Sequence, residues 1–186
     1  GDIDTTMSPW DSIRYYKSFL HTGFVAIEPT TGFVKAWVGG VNHKHFKFDH
    51  VKVGRRQVGS TFKPFVYALA IQEGYSPCHQ VPNVRTCIEI PGQPAWCPDN
   101  SDGNKGTGKM VTLRYALAGS INYVTAWVMK QFGPDAVINL VRRLGITAPI
   151  DAVPSIALGT PDISVFEMVA ANATFANKGT YIKPAF

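Results

Sequence analysis

The chain has 186 residues, of which 45% are hydrophobic, and its net charge is +5 at pH 7. This length and composition suffice for one folded domain or a large part of one. No apolar run is long enough to cross a membrane, and the first residues lack the basic and apolar segments of a signal peptide. The charge is scattered, which argues against nucleic-acid binding and leaves solubility or attraction to an acidic surface as its role.

The first predicted elements are a lead-in linker over residues 1–20 and a β-hairpin over residues 23–40. Within the linker, a serine followed by proline at Ser8 predicts a short helix between residues 7 and 20. The hairpin is predicted from its β-forming residues and from the turn at residues 30–32, which ends in Gly32. The chain should therefore open with a short helix followed by two antiparallel strands.

Three histidines, His43, His45 and His50, follow the hairpin and raise the question of a metal site. Their alternation with phenylalanines fits an exposed loop equally well, and no cysteine or carboxylate cluster is adjacent in the sequence. We therefore predict no metal ion at these residues.

Residues 55–65, RRQVGSTFKPF, place Lys63 three residues after Ser60 at the start of a helix predicted over residues 60–73. Because three residues are almost one helical turn, the Lys63 amine returns over the Ser60 hydroxyl and can act as its base. The helix dipole favours negative charge on the serine oxygen, and the apolar stripe that follows disfavours a charged lysine. The pattern predicts a serine nucleophile with a lysine base; a serine helix cap beside a solvated lysine is the alternative.

The three cysteines, Cys78, Cys87 and Cys97, all lie in a predicted loop over residues 76–108 that is rich in proline and glycine. A bridge between Cys87 and Cys97 would close a loop of about ten residues and stabilise it by about 3 kcal/mol in an oxidising compartment. Zinc held by the thiols and His79 is the alternative. Spacings of nine and ten residues are not those of compact zinc sites, which argues against a metal.

Four helices are predicted after this loop, over residues 112–118, 122–132, 134–144 and 164–177. The last is opened by a capping box formed by Ser164 and Glu167. A strand pair followed by a run of helices is an α+β pattern.

The junction between the first two of these helices carries Ser120 and Asn122. A serine and an amide two residues apart at a helix junction point the same way and can form one wall of a cleft. A plain capping turn is the alternative.

The serine–lysine pair, followed about sixty residues later by Ser120 and Asn122, resembles the motif order of penicillin-binding transpeptidases and serine β-lactamases. Residues 23–40, 157–160 and 167–179 resemble the transpeptidase domain of class A, bifunctional penicillin-binding proteins. The resemblance runs from about residue 7 to the end of the chain. It implies a penicillin-binding transpeptidase or serine β-lactamase-like fold over residues 21–186, present here as an N-terminal β-hairpin and the helical part.

The third motif of this family, K-[ST]-G on a strand that lines the cleft, is absent from the sequence. Residues 105–108, KGTG, permute the motif and precede Ser120, so we interpret them as a glycine-rich loop. The chain ends at Phe186, before the family presents that motif, and we therefore expect a domain truncated before its C-terminal sheet strands. One hairpin edge would then lie bare and allow a non-native dimer, and the loss of an oxyanion donor would leave the fragment poorly active.

The resemblance implies a D,D-transpeptidase that crosslinks peptidoglycan stem peptides through a serine acyl-enzyme. Ser60 would attack the carbonyl between two terminal D-alanines, and Lys63 would take its proton. Ser120 would relay a proton to the departing D-alanine, and Asn122 would hold the donor's amide and the lysine amine. β-lactams would acylate the same serine, and no cofactor is expected.

The resemblance also implies a location at the periplasmic or extracytoplasmic face of the bacterial inner membrane. A membrane anchor and a glycosyltransferase domain would lie upstream of these residues.

Two other classes of function stay open. A serine β-lactamase or a penicillin-sensing receptor would share Ser60 and Lys63, although the long cysteine loop and the hairpin sequence favour the transpeptidase. In a non-catalytic cell-wall-binding module, the two residues would be incidental.

Overall fold

The computed structural model describes residues 3–103 and 105–186. Residues 1–2 of the predicted linker and Asn104 of the predicted cysteine loop lie outside the described residues. The α-helices are α1 (Pro9–Lys17), α2 (Lys63–Gln72), α3 (Leu113–Ala118), α4 (Asn122–Arg143) and α5 (Val165–Ala176). The strands are β1 (Phe24–Ile27), β2 (Val34–Val38), β3 (Arg55–Gln57), β4 (Gln80–Pro82), β5 (Ile88–Ile90), β6 (Gln93–Trp96), β7 (Met110–Thr112) and β8 (Asp162–Ser164).

Each strand pairs with one antiparallel partner, in the order β1–β2, β3–β8, β4–β7 and β5–β6. The described residues also form 3₁₀ segments at Gly59–Phe62 and Pro154–Leu158. The mixture of helices and short antiparallel pairs confirms the predicted α+β class. No helix among the described residues has both the length and the apolar character needed to cross a membrane.

The N-terminal region follows its local signals. Helix α1 begins after Ser8, whose hydroxyl accepts a hydrogen bond from the Asp11 amide, and Pro9 occupies its first turn. The predicted hairpin is also confirmed, with Val25 of β1 opposite Trp37 of β2. Helix α1 nevertheless buries none of its residues.

The start of β2 is covered by the chain's own C-terminal residues. The Val34 amide donates to the Ala185 carbonyl, and the Ala185 amide donates to the Gly32 carbonyl, at 2.8 and 3.0 Å. These bonds form a short parallel bridge between Phe33 and Ala185. The expectation of a bare hairpin edge is therefore wrong at this end, because the residues after α5 return to the hairpin.

The hydrophobic core lies between α2 and α4 and extends to α3 and the second 3₁₀ segment. Its buried side chains include Phe62, Phe65, Val66, Leu69, Val124, Val128, Met129 and Ile156. Full burial of one such side chain contributes roughly 1.5–3 kcal/mol. Helix α2 has no side-chain cap at its first turn, so packing against its neighbours holds it in place.

Helix α4 joins the two helices predicted over residues 122–132 and 134–144. The backbone leaves helical geometry at Gly133, with φ 76° and ψ 166°, and Pro134 follows. Proline cannot donate a backbone hydrogen bond and obstructs the preceding turn. The predicted helices are thus two segments that meet at a kink.

The cysteine-containing stretch is more ordered than the predicted loop. It contains β4, which pairs with β7, and the β5–β6 hairpin, which is crosslinked by a disulfide between Cys87 and Cys97. Cys78 is free and exposed. Within residues 3–103 and 105–186, no group of three or more His, Cys, Asp or Glu side chains is arranged to hold a metal ion.

Candidate active site

Ser60 lies in the 3₁₀ turn between β3 and α2, and its side chain is exposed. Gly59, immediately before it, has a φ of 57°, a conformation that glycine adopts without strain. The Gly59 amide donates to the Gly159 carbonyl at 2.8 Å, and the Val58 amide donates to the Pro161 carbonyl. The backbone before the serine is therefore fixed by a segment a hundred residues further along the chain.

Gly159 allows this close contact because it has no side chain. A Cβ atom at Gly159, whose φ is 77°, would collide with the carbonyl of Gly59. The sequence resemblance included Gly159 in the stretch 157–160 but assigned it no contact with the serine turn. Its separation from Ser60 leaves no local signal of that contact.

Lys63 is the first residue of α2 and is only 1% exposed. Its Nζ atom donates to the Ser120 carbonyl at 2.7 Å, to Ser120 Oγ at 2.9 Å and to Asn122 Oδ1 at 2.6 Å. Burial lowers the pKa of Lys63 to about 8, because the charged form loses its hydration. The structure thus brings three of the four predicted site residues into direct contact.

The Ser60 hydroxyl is the exception. Among the described residues, no hydrogen bond joins it to Lys63, although the sequence predicts one from the spacing of the pair. The three N–H groups of the Lys63 ammonium group instead donate hydrogen bonds to three acceptors at the α3–α4 junction. Catalytic hydrogen bonds are often long or misaligned without substrate, so this geometry is compatible with a Ser60–Lys63 pair.

Ser120 has left-handed backbone geometry, with φ 52°. This conformation costs a residue other than glycine about 1–2 kcal/mol, and such residues concentrate at functional sites. The strained residue follows the end of α3 and presents both its carbonyl and its hydroxyl oxygen to Lys63.

Asn122, the first residue of α4, is 8% exposed and uses both ends of its side-chain amide. Its Oδ1 accepts from Lys63, and its Nδ2 donates to the Asp99 carbonyl at 2.7 Å. Its backbone amide donates to Asn100 Oδ1 at 2.9 Å. The sequence did not point to Asp99 or Asn100, because they lie 22 or more residues away in a segment without periodicity.

A cleft of about 630 Å³ opens beside Ser120. Its walls come from α3, from β7 and from the residues that precede β7. They include Asn83, Asn100, Asp102, Lys109, Thr112 and Ser120. Ser120 therefore lies between the buried lysine amine and a cleft whose walls carry both polar and apolar side chains.

Glu167 supports the site from α5. Burial by itself raises the pKa of this carboxyl, but hydrogen bonds from Thr147 and Ser164 outweigh burial and lower the pKa to about 2. Ser164 ends β8 and pairs with Arg55 of β3, the strand that leads to the serine turn. The capping box predicted from the sequence is confirmed, and it also links α5 to residues 147–148.

Sequence comparison finds two matching family models. The model of the penicillin binding protein transpeptidase domain matches residues 22–186, and that of the penicillin-binding protein middle domain matches residues 1–20. Penicillin-binding protein 2D of Bacillus subtilis is 37% identical over 170 residues, which are 91% of this chain and 24% of the relative. Penicillin-binding protein 1A of Rickettsia felis is 36% identical over 170 residues, covering 90% of this chain and 21% of the relative. The chain therefore spans less than a quarter of the length of these relatives.

Solved structures of penicillin-binding proteins share the fold of this chain. Penicillin-binding protein 1A from Haemophilus influenzae superposes with a TM-score of 0.82 at 30% identity, over 89% of this chain and 25% of that one. PonA1 from Mycobacterium tuberculosis, in complex with penicillin V, superposes with a TM-score of 0.73 at 25% identity, over 94% of this chain and 49% of that one. Penicillin-binding protein A from M. tuberculosis, an imipenem acyl-enzyme complex, shares the fold at a TM-score of 0.72 and 20% identity, over 87% of this chain and 47% of that one.

Proposed function

The chain belongs to the penicillin-binding protein transpeptidase family, and we propose that it carries the acyl-transfer centre of a D,D-transpeptidase, with Ser60 as the nucleophile. The observation that carries the proposal is the Lys63 amine, buried and hydrogen-bonded to Ser120 and Asn122. A lysine capped only by neutral oxygens, one turn after an exposed serine, suits proton abstraction better than a structural ion pair does.

The first step is removal of the Ser60 proton by neutral Lys63. With a pKa of about 8, roughly a tenth of the lysine is neutral at pH 7, whereas an ordinary lysine is almost fully charged. Loss of one proton releases one of the three contacts at the α3–α4 junction and frees the nitrogen lone pair for the Ser60 hydroxyl. Substrate bound against the exposed serine would bring the two groups into hydrogen-bond reach.

The second step is acyl transfer. Ser60 Oγ bonds to the carbonyl carbon between the two terminal D-alanines of a stem peptide, and the peptide bond to the last D-alanine breaks. The proton held by Lys63 passes through the Ser120 hydroxyl, 2.9 Å from Nζ, to the departing amine. An amine of a neighbouring stem peptide then attacks the ester carbonyl and forms the crosslinking amide. The bond to Ser60 Oγ breaks, and the proton lost by the amine passes through Lys63 to Ser60 Oγ.

We further propose that the substrates are peptidoglycan stem peptides ending in D-Ala-D-Ala and that β-lactams acylate the same serine. The cleft beside Ser120 combines apolar side chains with a few polar groups, which is typical of a site that binds an organic ligand. The Cys87–Cys97 disulfide supports an oxidising location, in agreement with the periplasmic or extracytoplasmic face of the membrane. Dimer formation through the hairpin stays a prediction.

The proposal is tested by incubating the full-length protein that carries these residues with a fluorescent penicillin and mapping the adduct by mass spectrometry. We expect the adduct on Ser60, loss of labelling in Ser60→Ala, and unchanged labelling in the control Ser18→Ala, which alters an exposed serine beside α1. An adduct on another serine would overturn the assignment. Rapid turnover of nitrocefin would identify a β-lactamase instead.

A further inference from the structure

Helix α4 begins without a cap of its own. Ile121 precedes its first residue and offers no side-chain acceptor. The first free amides, those of Asn122 and Tyr123, instead donate to Asn100 Oδ1 at 2.9 and 3.4 Å. Asn100, 22 positions before Asn122 in the chain, therefore caps the start of α4.

The adjacent residue fixes the side chain of Asn122. The Asp99 carbonyl accepts a hydrogen bond from Asn122 Nδ2, so the Oδ1 end of the amide must face the Lys63 amine. The reverse orientation would set two donors against each other at Lys63 and two acceptors against each other at Asp99. The segment 99–100 thus determines both where Asn122 lies and which end of its amide meets the lysine.

This segment is itself anchored to the disulfide hairpin. Arg85 donates to the Asp99 carboxylate at 3.1 Å and to the Cys97 carbonyl at 3.3 Å. Cys97 is bonded to Cys87. Because Cys97 and Asp99 are both held to the hairpin, the segment that ends at Asn100 can act as a support for the start of α4.

We infer that Asn100 is a positioning residue for acylation: it holds the start of α4, and through Asn122 it sets the place of the Lys63 amine. The inference rests on the proposed function, since it assigns Asn100 a part in the same reaction. Asn100 acts through Asn122 and does not exchange a proton with the serine. Without it, Asn122 would shift and Lys63 would lose one of its three acceptors.

Asn100 also lines the cleft beside Ser120, so a direct contact with substrate must be distinguished from positioning. A positioning role changes the rate of the chemical step, whereas a substrate contact that is equal in the ground and transition states changes the half-saturating concentration. The test therefore measures both quantities.

The experiment measures acylation of the full-length protein by a fluorescent penicillin. Stopped-flow fluorescence records the rate over a range of penicillin concentrations. We expect Asn100→Ala to lower the limiting rate constant by about 10- to 100-fold, as removal of groups that orient an active residue commonly does. Asn100→Asp keeps the capping oxygen and should stay close to the wild type. Ser8→Ala, which removes the equivalent cap from remote α1, should leave the rate constant unchanged.

Three outcomes would overturn the inference. The first is a limiting rate constant in Asn100→Ala equal to that in Ser8→Ala. The second is a change in Asn100→Ala that is confined to the half-saturating concentration of penicillin. An Asn100→Asp protein as slow as Asn100→Ala would show that the capping oxygen is not what matters. If Asn100→Ala does not fold, Asn100→Leu replaces it, because leucine is close to asparagine in size but has no capping oxygen. A wild-type rate constant in that variant would again overturn the inference.

The proposed function and the inference fail in different ways. Absence of labelling at Ser60 in the wild type would overturn the proposed function and the inference together. Normal labelling of the wild type with an unaffected Asn100→Ala protein would overturn the inference alone.

Discussion

Helix α1 and helix α2 differ in what makes them helical. Helix α1 has a Ser8 cap, Pro9 in its first turn, an acidic Asp11 and basic residues in its last turn, yet it buries no residue. Helix α2 begins at Lys63 with no side-chain cap, yet six of its ten residues are buried. Local signals thus mark the helix that packs least, while the helix that carries the site depends on its neighbours.

The difference has a chemical consequence. A lysine on the exposed α1 keeps its hydration, whereas Lys63 loses its hydration and its pKa falls to about 8. Only a packed interface can supply that burial together with the acceptors of Ser120 and Asn122. The proposed catalytic groups therefore lie where tertiary packing, rather than helix propensity, sets the structure.

The sharpest test of this comparison removes one lysine from each helix. Under the proposed function, Lys63→Ala should slow penicillin acylation by about a hundredfold to ten-thousandfold, because the base is lost while the nucleophile remains. Lys17→Ala in α1 is the matched control and should have no effect, since its side chain is exposed. Stopped-flow labelling measures both rates, and equal rates would exclude Lys63 as the base.

A second test compares one aromatic residue from each helix. Phe65 of α2 is fully buried, so Phe65→Ala should lower the free energy of unfolding by about 3–5 kcal/mol. Trp10 of α1 is 67% exposed, and Trp10→Ala should change that free energy by no more than about 0.5 kcal/mol. Urea unfolding of the two variants measures the difference. Similar losses would show that α1 packs more tightly than its exposure indicates.

A third test changes the charge beside Lys63. Asn122→Asp places a carboxylate against the amine and should raise the pKa of Lys63 by about 1–3 units. A higher pKa leaves less neutral lysine, so acylation at pH 7 should fall by about 10- to 1000-fold and recover at higher pH. Asn172→Asp on the exposed face of α5 is the control. A pH–rate profile that does not move to higher pH would contradict the role of neutral Lys63.

Helix α5 combines both kinds of stabilisation, and its Glu167 gives the smallest predicted effect. The folded pKa of Glu167, about 2, lies below its usual value of 4.5, so its stabilisation is present above pH 4.5 and is lost as the pH falls towards 2. The loss should reach up to about 3 kcal/mol. Glu167→Gln should remove this part of the acid dependence, and Glu89→Gln, at an exposed site, should not. Urea unfolding midpoints between pH 6 and pH 2.5 measure this pH dependence. Parallel curves of midpoint against pH for the two variants would contradict the prediction.

The sequence predictions were accurate where the interacting residues are close in the chain and failed where they are far apart. The α1 cap at Ser8, the β1–β2 hairpin and the capping box at Ser164 were predictable, because their partners lie within a few residues. The strands around the disulfide were missed, because three-residue strands carry no periodicity and β4 pairs with β7 about thirty residues later. The prediction that Ser120 and Lys63 share a site came from the resemblance to a family rather than from periodicity.

The sequence by itself determined the residue types of the site and their order along the chain, because a serine, a lysine one helical turn later and a distant serine and asparagine form a pattern of their own. Tertiary structure alone decided which atoms meet. It directed the Lys63 amine to Ser120 and Asn122, placed Gly159 against the turn before Ser60, and made Asn100 the cap of α4. These contacts join residues 22 to 100 positions apart, and no local preference specifies a partner at that distance; close packing does, because a buried polar group must find an acceptor or donor among the groups that the fold brings beside it.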